Sequence, residues 1–244
     1  MAPDFDLDPQ TLLRAYASGI FPMADDRDAP SIYWVEPRLR GVLPLDGFHL
    51  SRSLRKQVAS DRYRVTADVA FEAVIALCAE SATDRPETWI NATIERAFLR
   101  LHAMGFAHSV EVWDGDRLAG GLYGLALGQA FFGESMVSRA PSASKVALAW
   151  LVARLRLGGF RLLDCQFQTD HLATMGAVEI PRKAYSALLS GALGLGSAAG
   201  LASADFGALD RLAPPAAGAD PAPADTVSGP VSGKDIVQLL GQTS

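Results

Sequence analysis

The feature that most constrains this chain is a change of hydrophobic period. From Ala67 to Gly105 the apolar residues recur at helical spacing. Val69, Val74, Ile75 and Leu77 mark one run, and Ile94, Phe98 and Leu101 mark another, which Thr88 precedes and Gly105 stops. At Ser109 the period drops to two. Ser109-Val110-Glu111-Val112-Trp113 alternates, Asp114-Gly115 is a hairpin-turn signal, Leu118 onward returns as a strand, and Gln129 to Met136 supplies a third. An antiparallel meander set among helices predicts an α+β fold and excludes a doubly wound parallel sheet.

The flanking segments fit that plan. Asp8 to Gly19 reads as a short helix with Leu12, Leu13 and Tyr16 on one side. Ile32 to Val35 and Gly41 to Leu45 read as short strands, and Ser51 to Ser60 as a basic helix capped by Ser51 or Ser53. After the meander, Ser142-Ala143-Ser144 caps an amphipathic helix with Leu148, Leu151 and Leu155 on one stripe, ended by Gly158-Gly159. A strand from Arg161 to Gln168 and a segment from Ala184 to Leu189 close the folded part. Beyond Gly191 the chain is mostly Ala, Gly, Pro and Ser up to Gly233, a composition that buries too little apolar surface to offset its ordering entropy. The expected organisation is a small N-terminal domain over 1–45, a catalytic domain over 46–191 and a disordered tail over 192–244.

Composition narrows the function. Of 244 residues, 49% are hydrophobic and 20% charged, enough for a core, and no apolar run reaches the roughly 18 residues of a membrane span. The first ten residues are acidic and do not form a secretory signal. Two cysteines, Cys78 and Cys165, make neither a disulfide framework nor a four-ligand zinc site, which points to a reduced cytoplasm. His49, His102, His108 and His171 are scattered without metal-ligand spacing, so no metal is expected, and they read as packing or hydrogen-bonding residues. The net charge is -5, yet Arg38, Arg40, Arg52, Arg55, Lys56, Arg62 and Arg64 crowd one short segment against Asp46 and Asp61 alone. That local basic face makes phosphate binding a serious hypothesis.

Two strands carry the candidate chemistry. Along Leu162 to Gln168, alternation places Asp164, Gln166 and Gln168 on one face, expected to line a cleft, and Leu163, Cys165 and Phe167 on the other. In Phe131-Phe132-Gly133-Glu134-Ser135-Met136, Glu134 sits among apolar neighbours, where a carboxylate needs either a salt bridge or a ligand. Glu134 and Met136 share a face, and Phe131 lies opposite unless Gly133 marks a bulge. A Cys165/His171 nucleophilic pair is the rival reading, set against the usual role of a free Cys as a small buried hydrophobe. There is no P-loop and no strand-to-helix glycine loop of the kind that cradles a pyrophosphate.

These stretches resemble the bacterial leucyl/phenylalanyl-tRNA–protein transferases. The matching segments are LLRAYASGIFPM (12–23), RGVLPLDGFHLSRSLRK (40–56), TWI (88–90), LHAMGFAHSVEVWDGDRLAGGLYG (101–124), FFGESMVSRAPSASKVAL (131–148) and LLDCQFQTDHLATMGAVEIPR (162–182). GESM, SASK and DCQ at these spacings are the specific elements. The resemblance implies an N-acetyltransferase-like (GNAT-like) domain with a mixed sheet behind a small β-containing N-terminal domain. It implies transfer of Leu or Phe, and Met less well, from Leu-tRNA or Phe-tRNA to proteins with an N-terminal Arg or Lys, marking them for N-degron proteolysis in the cytoplasm, with no cofactor. It departs at Met23, where some members carry Trp, and in the Ala/Pro-rich tail, which has no recognised counterpart.

Carried over residue by residue, the resemblance makes Asp164, Gln166 and Glu134 the catalytic set. Trp89 is the residue that stacks on adenosine, and Leu122, Phe131, Met136, Leu148, Leu151, Leu155 and Leu163 line the aminoacyl pocket. Arg52, Arg55 and Lys56, neighbours on one helical face, are expected to meet tRNA phosphates. Asp164 is expected to orient Gln166 and draw positive charge toward the acceptor, while Gln166 hydrogen-bonds the attacking amine. Two other functions stand beside this one: an acetyl-CoA-dependent acetyltransferase, disfavoured by the missing pyrophosphate loop, and a non-enzymatic tRNA-binding module.

Overall fold

The structure is a computed structural model that describes residues 7–80, 88–194, 204–212 and 231–242. In chain order the elements are α1 (Pro9–Ala17), β1 (Phe21–Met23), β2 (Tyr33–Val35), β3 (Leu39–Val42), α2 (Arg52–Ala59), β4 (Arg64–Ala67), α3 (Phe71–Ala79) and α4 (Ala92–Ala103). There follow β5 (Ala107–Asp114), β6 (Arg117–Leu127), β7 (Ala130–Ser138), α5 (Ala143–Leu157), β8 (Leu162–Gln166), α6 (Asp170–Ala173), β9 (Val178–Pro181), α7 (Arg182–Leu193) and α8 (Gly233–Gly241).

Helix starts follow their caps. Asp8 accepts from the Thr11 amide at 2.8 Å with Pro9 in the first turn, Ser51 accepts from Leu54, and Asn91 (rather than Thr88) accepts from Ile94 at 3.0 Å. The expected cap of α5 fails. Ser142 stands at φ 61 and its side chain caps nothing. The helix is also not amphipathic, because Val146 to Leu155 are buried on every side, as a central helix requires.

β1 and β2 form a small antiparallel pair. The main sheet has seven strands in the order β4-β5-β6-β7-β8-β3-β9. The meander β5-β6-β7 is antiparallel as expected, and β7 pairs in parallel with β8, so the sheet is mixed. Its fold is α+β with helices on both faces. One face packs on α2, α5 and α8, around Leu122, Phe131, Leu148 and Leu163. The other packs on α1, α3, α4 and α7, around Tyr16, Phe98, Tyr123 and Phe132. Strands β1, β4 and β9 are too short to show a period. β3 is hydrogen-bonded between β8 and β9 inside the main sheet, so a boundary at residue 45 falls beyond a strand of that sheet.

The tail expectation needs correction at two places. Phe206 stacks on His108 at 4.1 Å and on Phe131 at 5.7 Å, while Arg154 donates to the Phe206 carbonyl and pairs with Asp210 at 2.5 Å. Helix α8 opens on a reciprocal Ser232/Asp235 cap, buries Ile236 and Leu240, and lies against α2 and α5. Arg156 donates to the carbonyls of Leu239 and Leu240, and Asp61 accepts from the Gly233 amide at 2.6 Å. A few well-spaced apolar residues suffice to dock these pieces, although the average composition around them is poor. The rest of the expected tail, 195–203, 213–230 and 243–244, lies outside the described residues. Among the described residues no helix is long and apolar enough to cross a membrane, and no group of three His, Cys, Asp or Glu could hold a metal.

Candidate active site

Two neighbouring parallel strands part company and make the site. β7 and β8 pair only from Ala130/Leu162 to Phe132/Asp164. Beyond that point each is irregular. In β7, Gly133 pairs with Gly124 and Ser135 with Tyr123, so Glu134 is an extra, bulged residue. Glycine at 124 permits this, since a Cβ there would fall 2.3 Å from the Phe132 carbonyl oxygen. In β8, Gln166 adopts φ 61, in the left-handed region that a non-glycine residue rarely occupies. The bulge and the left-handed turn aim Glu134 and Gln166 into the gap.

A cavity of about 290 Å³ opens there. Its apolar wall is Trp89, Leu122, Met136, Leu148, Leu151 and Leu163, and its polar residues include Glu134, Gln166 and His171. Of the residues expected to line the pocket, Phe131 and Leu155 do not. Phe131 is spent on the core, stacked on Phe206 and edge-on to Phe160. Leu155 lies one turn of α5 beyond Leu151 and is fully buried. A larger cavity, about 610 Å³, lies between α5, α7 and α8, but of the expected residues only Leu163 reaches it. Its Arg156 is committed to main-chain carbonyls.

Asp164 is also outside the cavity. It faces the opposite side of the sheet from Leu163 and Cys165, where its carboxylate receives Arg40 Nε at 2.9 and 3.1 Å and Arg40 Nη2 at 2.6 Å. Tyr185 Oη donates to it at 2.7 Å, and the Gln166 amide at 2.8 Å. Arg40 is itself held between the rings of Phe21 and Tyr185, each 4.6 Å away, and donates to the Gly19 carbonyl at 3.1 Å. Gln166 lines the cavity and Asp164 does not, but both act on Glu134. Regular strand geometry ends at Gln166, whose backbone stands at φ 61 and whose side chain meets Glu134. The Asp164 charge is paired with Arg40 at 2.6 Å.

The polar end of the cavity is incompletely satisfied. Tyr16 Oη, both Glu134 oxygens and Gln166 Nε2 are buried, and none completes a hydrogen bond of good geometry among the described residues. Burial raises the Glu134 carboxyl from an ordinary 4.5 to about 7. Tyr16 and Gln166, which face it as donors, pull the other way, the Asp164 charge adds to the rise, and the Arg40 charge opposes it. Such convergent unmet groups mark a place that a ligand completes. Cys165 and His171 both line the cavity, but burial and the Asp164 charge push the thiol far up, so the rival nucleophile is held protonated.

Sequence reasoning missed Tyr16, Arg40 and Tyr185, and it singled out His171 only as the partner of Cys165. Tyr16 sits in an apolar stripe and Arg40 in a basic cluster, and each looked ordinary there. Arg52, Arg55 and Lys56 are exposed on α2, with no ion pair among the described residues. Of the other clustered cations, Arg40 is buried, Arg62 approaches Asp114 at 3.8 Å, and Arg64 lies over the Trp113 ring.

Comparison with known proteins follows this geometry. A family model described as leucyl/phenylalanyl-tRNA protein transferase matches residues 42–190, and one described as the N-terminal domain of that transferase matches residues 5–38. A leucyl/phenylalanyl-tRNA–protein transferase of Rhizorhabdus wittichii is 59% identical, over 98% of this chain and 99% of its own. One of the same name from Afipia carboxidovorans is 49% identical, over 98% and 95%. Among solved structures, L-PGS from Bacillus licheniformis covers 65% of this chain and 53% of its own at a TM-score of 0.37 and 11% identity, too distant to inform the site.

Proposed function

Because this chain belongs to the leucyl/phenylalanyl-tRNA–protein transferases, and so moves an aminoacyl group from aminoacyl-tRNA to protein N-termini, we propose that its donors are Leu-tRNA and Phe-tRNA (Met-tRNA less well). The acceptors in this reading are proteins beginning with Arg or Lys, which the added residue marks for N-degron proteolysis in the cytoplasm.

The donor side chain enters the wall formed by Leu122, Met136, Leu148, Leu151 and Leu163, with Trp89 stacking on the terminal adenosine. Apolar fit discriminates weakly, at about 1–3 kcal/mol per methylene, which suits an enzyme that accepts two side chains. Glu134 takes the donor's α-ammonium, which supplies the partner its buried carboxylate lacks. Ester aminolysis asks mainly for positioning, since the donor is activated and the acceptor amine, with a pKa near about 7.7–8.0, is partly neutral at pH 7. Gln166 hydrogen-bonds the attacking amine. Asp164 acts as a positioning residue, since its carboxylate holds the Gln166 main chain. The catalytic part, 46–191, is in this reading an N-acetyltransferase-like fold, supported by the parting of parallel β7 and β8. The N-terminal part, 1–45, serves it through Tyr16 and Arg40. Arg52, Arg55 and Lys56 receive phosphates of the acceptor arm.

The observation that carries this reading is the pair of unmet groups, Glu134 and Gln166, at the polar end of an apolar cavity of side-chain size. The test is incubation of the protein with labelled Leu-tRNA and peptides starting with Arg or with Ala. Label on the Arg peptide alone is the expected result, and no transfer to either peptide refutes the reading. Gln166→Ala should depress turnover while leaving donor affinity within about twofold.

A further inference from the structure

The transfer chemistry leaves one proton unassigned. When the acceptor's amine attacks the ester carbonyl, a C–N bond forms and the nitrogen of the tetrahedral intermediate carries a surplus proton. When the C–O bond to the ribose breaks, the departing oxygen needs one. Gln166 can orient the amine, but a neutral amide does not accept a proton near pH 7. Asp164 is sealed behind the strand and paired with Arg40. Glu134 is buried, and in the reading above the donor's own ammonium takes it.

His171 remains. It lies on α6, whose start is fixed by Thr169 accepting from the Leu172 amide at 3.2 Å, and it lines the same cavity as Glu134 and Gln166. Unlike them it is exposed, so an acceptor N-terminus coming from solvent can reach it. Its ring makes no hydrogen bond among the described residues, leaving both nitrogens available. Resting on the reaction proposed above, we propose that His171 is the proton shuttle of the transfer: its neutral imidazole takes the proton from the attacking nitrogen and returns it to the departing ribose oxygen. The balance closes. One C–N bond replaces one C–O bond, one proton moves from nitrogen to oxygen, and the imidazole ends neutral.

The surroundings favour the neutral ring. Partial burial and the charge of Lys145, reaching over from α5, hold the imidazole below its ordinary 6.5. The other ionisable groups around it are Glu134 on β7, Cys165 on β8 and Asp170 beside it on α6. A base neutral at pH 7 and placed within reach of the amine is worth roughly 10²–10⁴-fold in rate.

The test compares wild type, His171→Gln and His171→Ala in single-turnover transfer from Leu-tRNA to an Arg peptide, across about pH 5.5–8.5. Melting temperatures serve as the folding control. The expected result is a loss in rate of at least about 100-fold with donor affinity within about twofold, and partial recovery of His171→Ala by added imidazole. The acid limb should also change. Wild type needs both the imidazole and the acceptor amine neutral, so its limb steepens below the imidazole pKa, whereas the variants follow the amine alone. Wild-type rates in the variants overturn the proposal. So does a rate loss with an unchanged pH profile and no imidazole rescue, which would make His171 a wall of the cavity. If wild type itself makes no product, it is the transfer reaction that fails and not the assignment of His171.

Discussion

Replacing Arg40 with methionine separates the two partners of the most deeply buried ion pair described here. Methionine keeps an apolar stem between Phe21 and Tyr185 but removes three contacts to Asp164, at 2.6–3.1 Å, and one to the Gly19 carbonyl at 3.1 Å. Asp164, 0% exposed, is left with Tyr185 Oη and the Gln166 amide. A buried charge that loses its partner costs about 3–5 kcal/mol. In a chain of this length each kcal/mol lowers Tm by about 2–4 °C, so the expected fall is about 6–20 °C. Far-UV circular dichroism on the RNA-free protein, by heat and by urea, measures it. The double variant Arg40→Met, Asp164→Leu should recover part of the loss, because removing both partners of a buried pair is far cheaper than removing one. It should stay inactive, since Gln166 has lost its anchor. A cost below about 1 kcal/mol for Arg40→Met, the range of an exposed pair, would refute this account of the site's support.

Three further outcomes are expected. Met136→Ala or Leu122→Ala should shift competition between donors toward Phe by roughly tenfold, within the 1–3 kcal/mol that a methylene is worth, and an unchanged Phe/Leu ratio would remove these residues from the pocket. Neutralising Arg52, Arg55 and Lys56 together should weaken binding to all donor tRNAs alike and flatten the log–log salt dependence by roughly 0.7–0.9 per lost contact; a wild-type slope would move the phosphate site to Arg38, Arg62 or Arg64. Glu134 titrates at about 7 folded against an ordinary 4.5, so the folded state keeps a proton that the unfolded chain releases between those values, and stability should decline through that window as pH rises. Glu134→Gln should flatten that decline in Tm, and an unaltered profile would show that the carboxyl is not held protonated by its burial.

Local pattern carried the fold further than it carried the site. The meander was legible because β5 and β6 alternate and turn at Asp114-Gly115, where Gly115 takes φ 63. Strands of three or four residues, such as β1, β4 and β9, were not, because their positions are set by neighbours in the sheet and not by their own sequence. Glu134 and Gln166 stood out as polar residues in apolar strands. What surrounds them was harder to read, since alternation presumes regular strand geometry and both residues sit where it breaks. Arg40 and Asp164 are separated by 124 positions and look unremarkable singly, so nothing local announces their pairing. The docked tail escaped notice because average composition hides a few apolar residues at helical spacing, Ile236 and Leu240 among them.

The grip of Asp164 on residue 166 is through the main chain, at 2.8 Å from its amide. That separates two properties that usually travel together. The hook is indifferent to which side chain it carries, provided the residue tolerates a left-handed backbone, a demand that asparagine and glycine meet best. Position 166 is therefore a tool in a fixed holder, one whose exchange alters activity and spares the fold, whereas 164, 40 and 185 are the holder. A library at 166 should therefore yield mostly folded chains of altered turnover, and a library at 164, 40 and 185 mostly chains that no longer fold.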